Sequence, residues 1–277
     1  MLFNARTAGL LMLAAAISAC DTPDQATAPQ LTPQFIVNGE PTGSRLYENV
    51  GALYYDFNRN GRVDGDDLVC TGSLISSTVF LTAAHCVEFL PAGSQLYVSF
   101  DDEAFPRPSN PIASTGYAWD PGYAHDSGDY HDIAVVLLPA NSTRGLTPVK
   151  LPTAGKLDAL AAQGALAKTL FVNVGYGYDA SAAGPMAFTF DGVRKWSKSE
   201  FMGLTQAHLG LLMNSNATGE GGDCYGDSGG PKFIDGDRST IYAIVITGDV
   251  PCRATTWDYR LDTPAARAFL GNYVTLP

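Results

Sequence analysis

The feature that most constrains the fold is a series of short segments rich in β-branched and aromatic residues, separated by turn residues. These segments lie at 51–55, 68–75, 79–82, 95–100, 133–138, 169–174, 207–213 and 241–247. This spacing predicts strands arranged as a sandwich or barrel rather than as βαβ units. The 29 Gly and 17 Pro residues agree, since a helical bundle uses fewer of both.

The C-terminal end has a different pattern. Asp262 or Thr263 can cap a helix, and Pro264 suits its first position. Apolar residues then recur at helical spacing, at 266, 269, 270 and 273. We expect a short C-terminal helix.

The N-terminal segment has the features of an export signal. Residues 1–19 combine Arg6 with an apolar stretch at 10–17 that is too short to span a bilayer. The letters ISAC at 17–20 resemble the bacterial lipobox, whose cysteine becomes N-terminal and lipidated. The alternative is a plain signal peptide with a chance cysteine at Cys20. Residues 20–35, rich in Pro, Thr, Gln and Ala, predict a flexible tether, and residues 36–277 a single folded domain.

The net charge and the cysteine content limit the binding partners of the protein and the cellular compartment in which it acts. The formal net charge is -11 and no basic run occurs, so we exclude nucleic acid as a partner. We expect an exported protein, periplasmic or at the cell surface, anchored to a membrane through lipid on Cys20. An even set of cysteines in an oxidising compartment predicts disulfides, for which three pairings are open: Cys70, Cys86, Cys224 and Cys252.

The most specific motif is GDCYGDSGGP at residues 222–231. A serine hydroxyl needs a base to become a nucleophile, and glycines around Ser228 let backbone N–H groups turn into one cavity. The non-catalytic alternative is a Gly-rich turn that contains a serine by chance. Two other segments agree with a catalytic role: LTAAHC at 81–86 contains His85, and DIAVVL at 132–137 contains Asp132. His125 and His131 are interpreted as loop residues, since no HExxH metal motif occurs.

These three motifs resemble those of chymotrypsin/trypsin-like serine proteases, and the order His, Asp, Ser is the order of that family. The resemblance implies an all-β fold of two six-stranded antiparallel β-barrels with a short C-terminal helix. It also implies a triad of His85, Asp132 and Ser228. The N–H groups of Gly226 and Ser228 would form the oxyanion hole. By the same resemblance Cys70 pairs with Cys86, and Cys224 with Cys252.

The resemblance also points to a substrate pocket and a zymogen switch. Trypsin-like members carry an aspartate six residues before the nucleophile, where this chain has Gly222; Asp223 follows, able to favour a basic residue. The expected substrate-binding edge is Ile246, Thr247 and Gly248. Ile36 begins an IVNG segment like the family's processed N-terminus, whose amino group would pair with Asp227. The alternative is an ordinary first strand without processing.

Residues 56–67 match a 12-residue EF-hand-type loop, with glycine at position 6. This pattern predicts a structural Ca²⁺ ion, and no cofactor for catalysis. The expected ligands are Asp56, Asn58, Asn60 and Asp67 by side chain, Arg62 by carbonyl and Asp64 through water. Position 12 is Asp67 instead of the usual Glu, and the flanks have strand character. The alternative is a solvated acidic hairpin turn.

The sequence as a whole therefore predicts a monomeric serine endopeptidase acting on polypeptides through an acyl-enzyme. A protease fold serving as a catalytically weak binding lipoprotein is a second hypothesis, and an esterase on the same fold is a third.

Overall fold

The computed structural model describes residues 36–126, 128–180 and 188–277. The expected signal segment, Cys20 and the tether lie outside these residues. The strands are β1 Glu40–Pro41, β2 Val50–Tyr55, β3 Leu68–Ser76, β4 Val79–Thr82, β5 Leu96–Ser99, β6 Ile112–Ala113, β7 Gly116–Trp119, β8 Ala134–Leu137, β9 Leu170–Gly175, β10 Lys195–Leu204, β11 His208–Leu212, β12 Pro231–Ile234, β13 Ile241–Gly248 and β14 Thr255–Arg260. The helices are α1 Lys156–Ala162, α2 Ser215–Thr218 and α3 Pro264–Leu270.

The strands form two antiparallel sheets, each taken mostly from one half of the chain. The first follows the order β6-β5-β2-β3-β4-β8-β7 and curls into a half-barrel. In the second, β10-β11-β14-β13-β12-β9 closes into a six-stranded barrel because β9 also pairs with β10, and β1 joins at β10. This arrangement confirms the expected two-barrel, chymotrypsin-like fold.

One apolar core extends across both sheets. It includes Leu53, Phe80 and Val136 from the first and Val174 and Phe233 from the second, all of them fully buried. Burial of such side chains contributes about 1.5–3 kcal/mol each, so the shared core holds the two sheets in a fixed relation.

The buried Arg194 adds a polar connection between the halves of the molecule. Its guanidinium donates hydrogen bonds to the Thr42 hydroxyl, to the carbonyls of Val50 and Phe100 and to the Tyr176 hydroxyl, at 3.0–3.2 Å. A buried donor without an acceptor is costly, so the segments that carry these acceptors are held in place around the guanidinium.

The interior of the closed barrel is partly polar. Along β10, the buried positions are Lys195, Ser197 and Ser199, whereas the intervening residues are half-exposed. Asn173 of β9, also buried, donates to both serine hydroxyls at 2.8–3.0 Å. A strand of this kind lacks hydrophobic alternation, which is why the sequence patterns did not indicate β10.

The C-terminal helix is present as expected. Thr263 rather than Asp262 is its N-cap, since the Thr263 side chain accepts a hydrogen bond from the N–H of Ala266, and Pro264 occupies the first turn. No helix among the described residues is long and apolar enough to cross a membrane.

Candidate active site

His85 and Asp132 are brought together at the end of two neighbouring strands. His85 lies in a 3₁₀ turn, Ala84–Cys86, just after β4, and Asp132 lies just before β8, which pairs with β4. His85 Nδ1 is 2.7 Å from Asp132 Oδ2, and the His85 backbone N–H donates to Asp132 Oδ1 at 2.9 Å. The carboxylate therefore holds both the ring and the main chain of His85.

The contact determines which ring nitrogen of His85 faces the cleft. The Asp132 side chain is 8% exposed and that of His85 is 30% exposed. An ionised carboxylate accepts hydrogen bonds only, so Nδ1 carries the proton and Nε2 is left as an acceptor. A neutral imidazole in this tautomer can act as a general base.

Ser228 faces the same cleft as His85, on the loop between Cys224 and β12. The loop is fixed on both sides, since the Ser228 carbonyl accepts from Thr71 N–H at 2.9 Å and Gly229 N–H donates to the Val245 carbonyl at 2.8 Å. Within the described part of the chain, the Ser228 hydroxyl makes no hydrogen bond to His85. Hydrogen bonds between a hydroxyl and a general base are often long when no ligand is bound.

The backbone around Ser228 leaves two amides available. Gly226 has φ +95°, a conformation that strains residues with a side chain. Among the described residues, neither the N–H of Gly226 nor that of Ser228 donates to an acceptor. Two such N–H groups on one turn suit a negatively charged oxygen.

The buried side chain of Asp227 holds the Ser228 loop in place. Its fully buried carboxylate accepts from the N–H groups of Gly177 at 2.8 Å and Cys224 at 2.9 Å. A Cβ at Gly177 would lie 2.5 Å from this carboxylate, so glycine is required there. Burial, then the neighbouring Asp223, raises the pKa of Asp227 to about 8.

The expected N-terminal segment reaches the same region. Ile36 and Val37 are buried, and the Gly222 N–H donates to the Val37 carbonyl at 3.0 Å. Ile36 has φ +43°, which is a strained conformation for a β-branched residue. No contact between Ile36 and Asp227 is present among the described hydrogen bonds.

The cleft that His85 and Ser228 line has a volume of roughly 370 Å³. Its walls include the expected edge of Ile246, Thr247 and Gly248, of which Thr247 and Gly248 are exposed. Asp223 also lines the cleft, whereas Gly222 packs against the Met213 side chain and is not part of the wall.

Asp223 is not a free carboxylate, a finding that the sequence patterns missed. It is buried and forms an ion pair with the fully buried Lys232 of β12. Lys232 also donates to Asn173 at 2.7 Å and lies 3.5 Å from Asp258. Lys232 is four residues after Ser228 in a strand otherwise made of Pro, Phe and Ile, and a lysine in such a buried strand was the available signal.

Both disulfides are present in the expected pairing. Cys70 of β3 bonds to Cys86 beside the histidine, and Cys224 bonds to Cys252 across the cleft. They attach the His85 turn and the Ser228 loop to neighbouring segments.

The loop at 56–67 is curled by its own side chains. Asp56 accepts from the N–H groups of Asn60 and Gly61 at 3.1 and 2.8 Å, and Asn60 accepts from Arg62 at 2.8 Å. Asp67 is buried and accepts from Phe57 and Asp64. Within the described residues no three carboxylates converge here, so a cation would depend on the amide oxygens of Asn58 and Asn60 as well.

Comparisons with known proteins bear on the family and the fold. The family model described as Trypsin matches residues 54–266. No curated protein sequence gives a match. Two solved structures are similar, each with a TM-score of 0.61: HL collagenase, at 17% identity, covering 86% of this chain and 98% of that chain, and the VesB protease of Vibrio cholerae, at 19% identity, covering 86% of this chain and 67% of that chain. At these identities the two structures bear on the fold alone.

Proposed function

The chain belongs to the trypsin family of serine proteases, and on that premise we propose that it is an endopeptidase with His85, Asp132 and Ser228 as its catalytic triad. The observation that carries the proposal is that His85, hydrogen-bonded to Asp132, and Ser228 line the same cleft. Ser228 lies on a turn with two backbone N–H groups that have no acceptor among the described residues. The substrate is a polypeptide.

The chemistry follows from the geometry. The Ser228 oxygen attacks the peptide carbonyl carbon while His85 Nε2 takes its proton, and the oxygen of the tetrahedral intermediate faces the N–H groups of Gly226 and Ser228. His85 then returns the proton to the leaving amine, which leaves an acyl group on Ser228. Water then attacks the acyl carbon while His85 takes its proton, the bond to the Ser228 oxygen breaks, and His85 returns the proton to that oxygen. Asp132 stabilises the imidazolium in both halves of the reaction.

Labelling and turnover together test this function. A fluorophosphonate probe should label the wild type, cut between Phe35 and Ile36, at Ser228 and fail to label Ser228→Ala, and the same material should cleave an unstructured polypeptide at internal bonds. Absence of labelling of both the cut and the uncut protein would favour a binding protein. Labelling with turnover of esters but not of peptides that have matched leaving groups would favour an esterase.

We also propose that cleavage between Phe35 and Ile36 activates the enzyme. The angle φ of Ile36 is defined by the preceding carbonyl carbon, so cutting this bond removes its strained rotation. The new amino group would form an ion pair with Asp227 and thereby favour its ionised form; among the described residues, Asp227 has no cationic partner in direct contact.

The same cleavage would release the enzyme from a membrane, because the proposed lipid site at Cys20 precedes Ile36. N-terminal sequencing of active soluble protein should give Ile36 as the first residue. Fully active material that begins at Cys20 or Asp21 would contradict both activation and release.

The loop at 56–67 is proposed to hold a structural Ca²⁺ ion. The donor set fits this ion, since carboxylate, amide and carbonyl oxygens are its usual ligands. Bound there, the ion would offset the negative charge of Asp56, Asp64 and Asp67 and stiffen the loop between β2 and β3.

A further inference from the structure

A buried cation lies behind one carboxylate of the cleft wall. Lys232 is 0% exposed, and its ammonium group contacts the carboxyl groups of Asp223 and Asp258 and the carbonyl oxygen of Asn173. Of these residues, Asp223 is the one that lines the cleft. Within the described residues, the buried carboxylate of the cleft wall is thus already paired.

From this contact we infer that Lys232 is a specificity-determining residue, which neutralises Asp223 and makes the cleft select an uncharged side chain before the cleaved bond. The inference rests on the proposed peptidase function and refines it. It argues against the possibility, left open by the sequence, that Asp223 favours a basic residue.

The other charges around the cleft do not restore an attraction for cations. Asp249 also lines it, but this residue is half-exposed, so that water screens its charge, and its oxygens accept from the N–H groups of Arg253, Ala254 and Thr255 at 2.8–3.0 Å. Asp258 lies beyond Lys232, outside the cleft walls, and is fully buried, so a bound side chain does not contact it. The remaining neighbouring carboxyl, Asp227, is buried beneath the Ser228 loop.

A basic side chain would gain little from this part of the cleft. It would have to compete with Lys232 for Asp223, so its charge would lose water without gaining a free carboxylate, and burying an unpaired charge is costly. An uncharged side chain avoids this desolvation cost.

The test removes the charge and keeps the hydrogen-bonding capacity. Lys232→Gln can still bond to Asp223 and Asn173 but leaves the Asp223 charge unpaired. Peptides that differ only in the residue before the cleaved bond, either Arg or Lys against Leu, Gln or Ala, give the ratio of kcat/KM values. We expect the wild type to favour the uncharged set by at least about 100-fold and Lys232→Gln to shift the ratio towards the basic set by at least about 30-fold.

A control variant and a binding probe complete the design. Asp223→Asn/Lys232→Gln has neither charge, so the ratio should return towards that of the wild type. Benzamidine, a small cation, should bind Lys232→Gln at least about 30-fold more tightly than it binds the wild type or the double variant. Thermal melts verify that each variant is folded.

Two results would overturn the inference: a wild type that prefers Arg or Lys, or a folded Lys232→Gln with ratios and benzamidine affinity within about threefold of the wild type. The wild-type measurements decide the matter even if the variants do not fold. A protein that cleaves no peptide, yet shows the expected order of benzamidine affinities, would refute the proposed function and leave the inference on the cleft intact.

Discussion

Replacing Asp132 by Asn tests the assignment of the catalytic base most directly. The Asn carbonyl oxygen can still accept from the His85 backbone N–H, now 2.9 Å away, so the fold is preserved. The amide NH₂ group, however, would occupy the place of the oxygen 2.7 Å from Nδ1 and would donate to the ring. The proton would then reside on Nε2, where it prevents His85 from accepting the Ser228 proton.

The magnitude follows from the charge and the tautomer. An ionised Asp132 and an imidazolium with charge centres about 4 Å apart attract by about 4 kcal/mol at an effective dielectric of 20, which is roughly 10³-fold in rate. The tautomer effect adds to this, so we expect kcat to fall about 10⁴-fold with a small change in KM. The assay is steady-state peptide hydrolysis, corrected for the folded fraction by thermal melts.

The neighbouring loop provides a matched control. Asp120 and His131 form a second carboxylate–imidazole pair, with Oδ2 3.2 Å from Nδ1, outside the cleft walls. Asp120→Asn should therefore keep kcat within about threefold of the wild type, as expected for a residue without a transition-state contact. The reasoning is refuted if folded Asp132→Asn keeps more than about a tenth of the wild-type kcat, or if Asp120→Asn loses as much as Asp132→Asn.

Three further predictions concern stability. In the unprocessed chain, burial raises the pKa of Asp227 in the folded state from 3.8 to about 8. The folded state therefore binds this proton more tightly than the unfolded state, and the resulting contribution to the free energy of unfolding is complete below pH 3.8 and is lost as the pH rises through 8. Thermal melts should show this decline before cleavage at Ile36 and a smaller one after it; equal slopes would contradict the proposed pairing. EDTA should lower the melting temperature by several degrees, because a Ca²⁺ ion that binds only the folded state stabilises it and its removal takes that stabilisation away. Asp56→Ala should abolish this response to EDTA. A wild type whose melting temperature does not change with EDTA would refute the calcium site. Arg194→Met should reduce the free energy of unfolding in urea by at least about 3 kcal/mol, because buried carbonyls lose their donor, whereas the exposed Arg144→Met should change it by less than about 0.5 kcal/mol; equal effects would refute the role of Arg194.

Local patterns in the chain were sufficient for much of the fold. The β-branched and aromatic runs indicated β2, β3, β4, β5, β8, β9, β11 and β13, and the capping and helical spacing near Thr263 indicated α3. These patterns can be recognised in the sequence because hydrophobic alternation and helix capping involve residues close to one another in the chain. The motifs around His85, Asp132 and Ser228 identified the family for the same reason, since each is a short contiguous string.

Contacts between distant residues were decided by the tertiary structure. The polar face of β10 carries no hydrophobic period, so its place in the barrel became visible only with Asn173 opposite Ser197 and Ser199. The letters around Asp223 predict a carboxylate in the cleft, but not that Lys232 lies against it. An ion pair depends on which strands adjoin and on how deeply both charges are buried, and neither quantity is encoded in a local string. Sequence thus determined the chemistry available to this protein, and tertiary structure determined which charges remain free to use it.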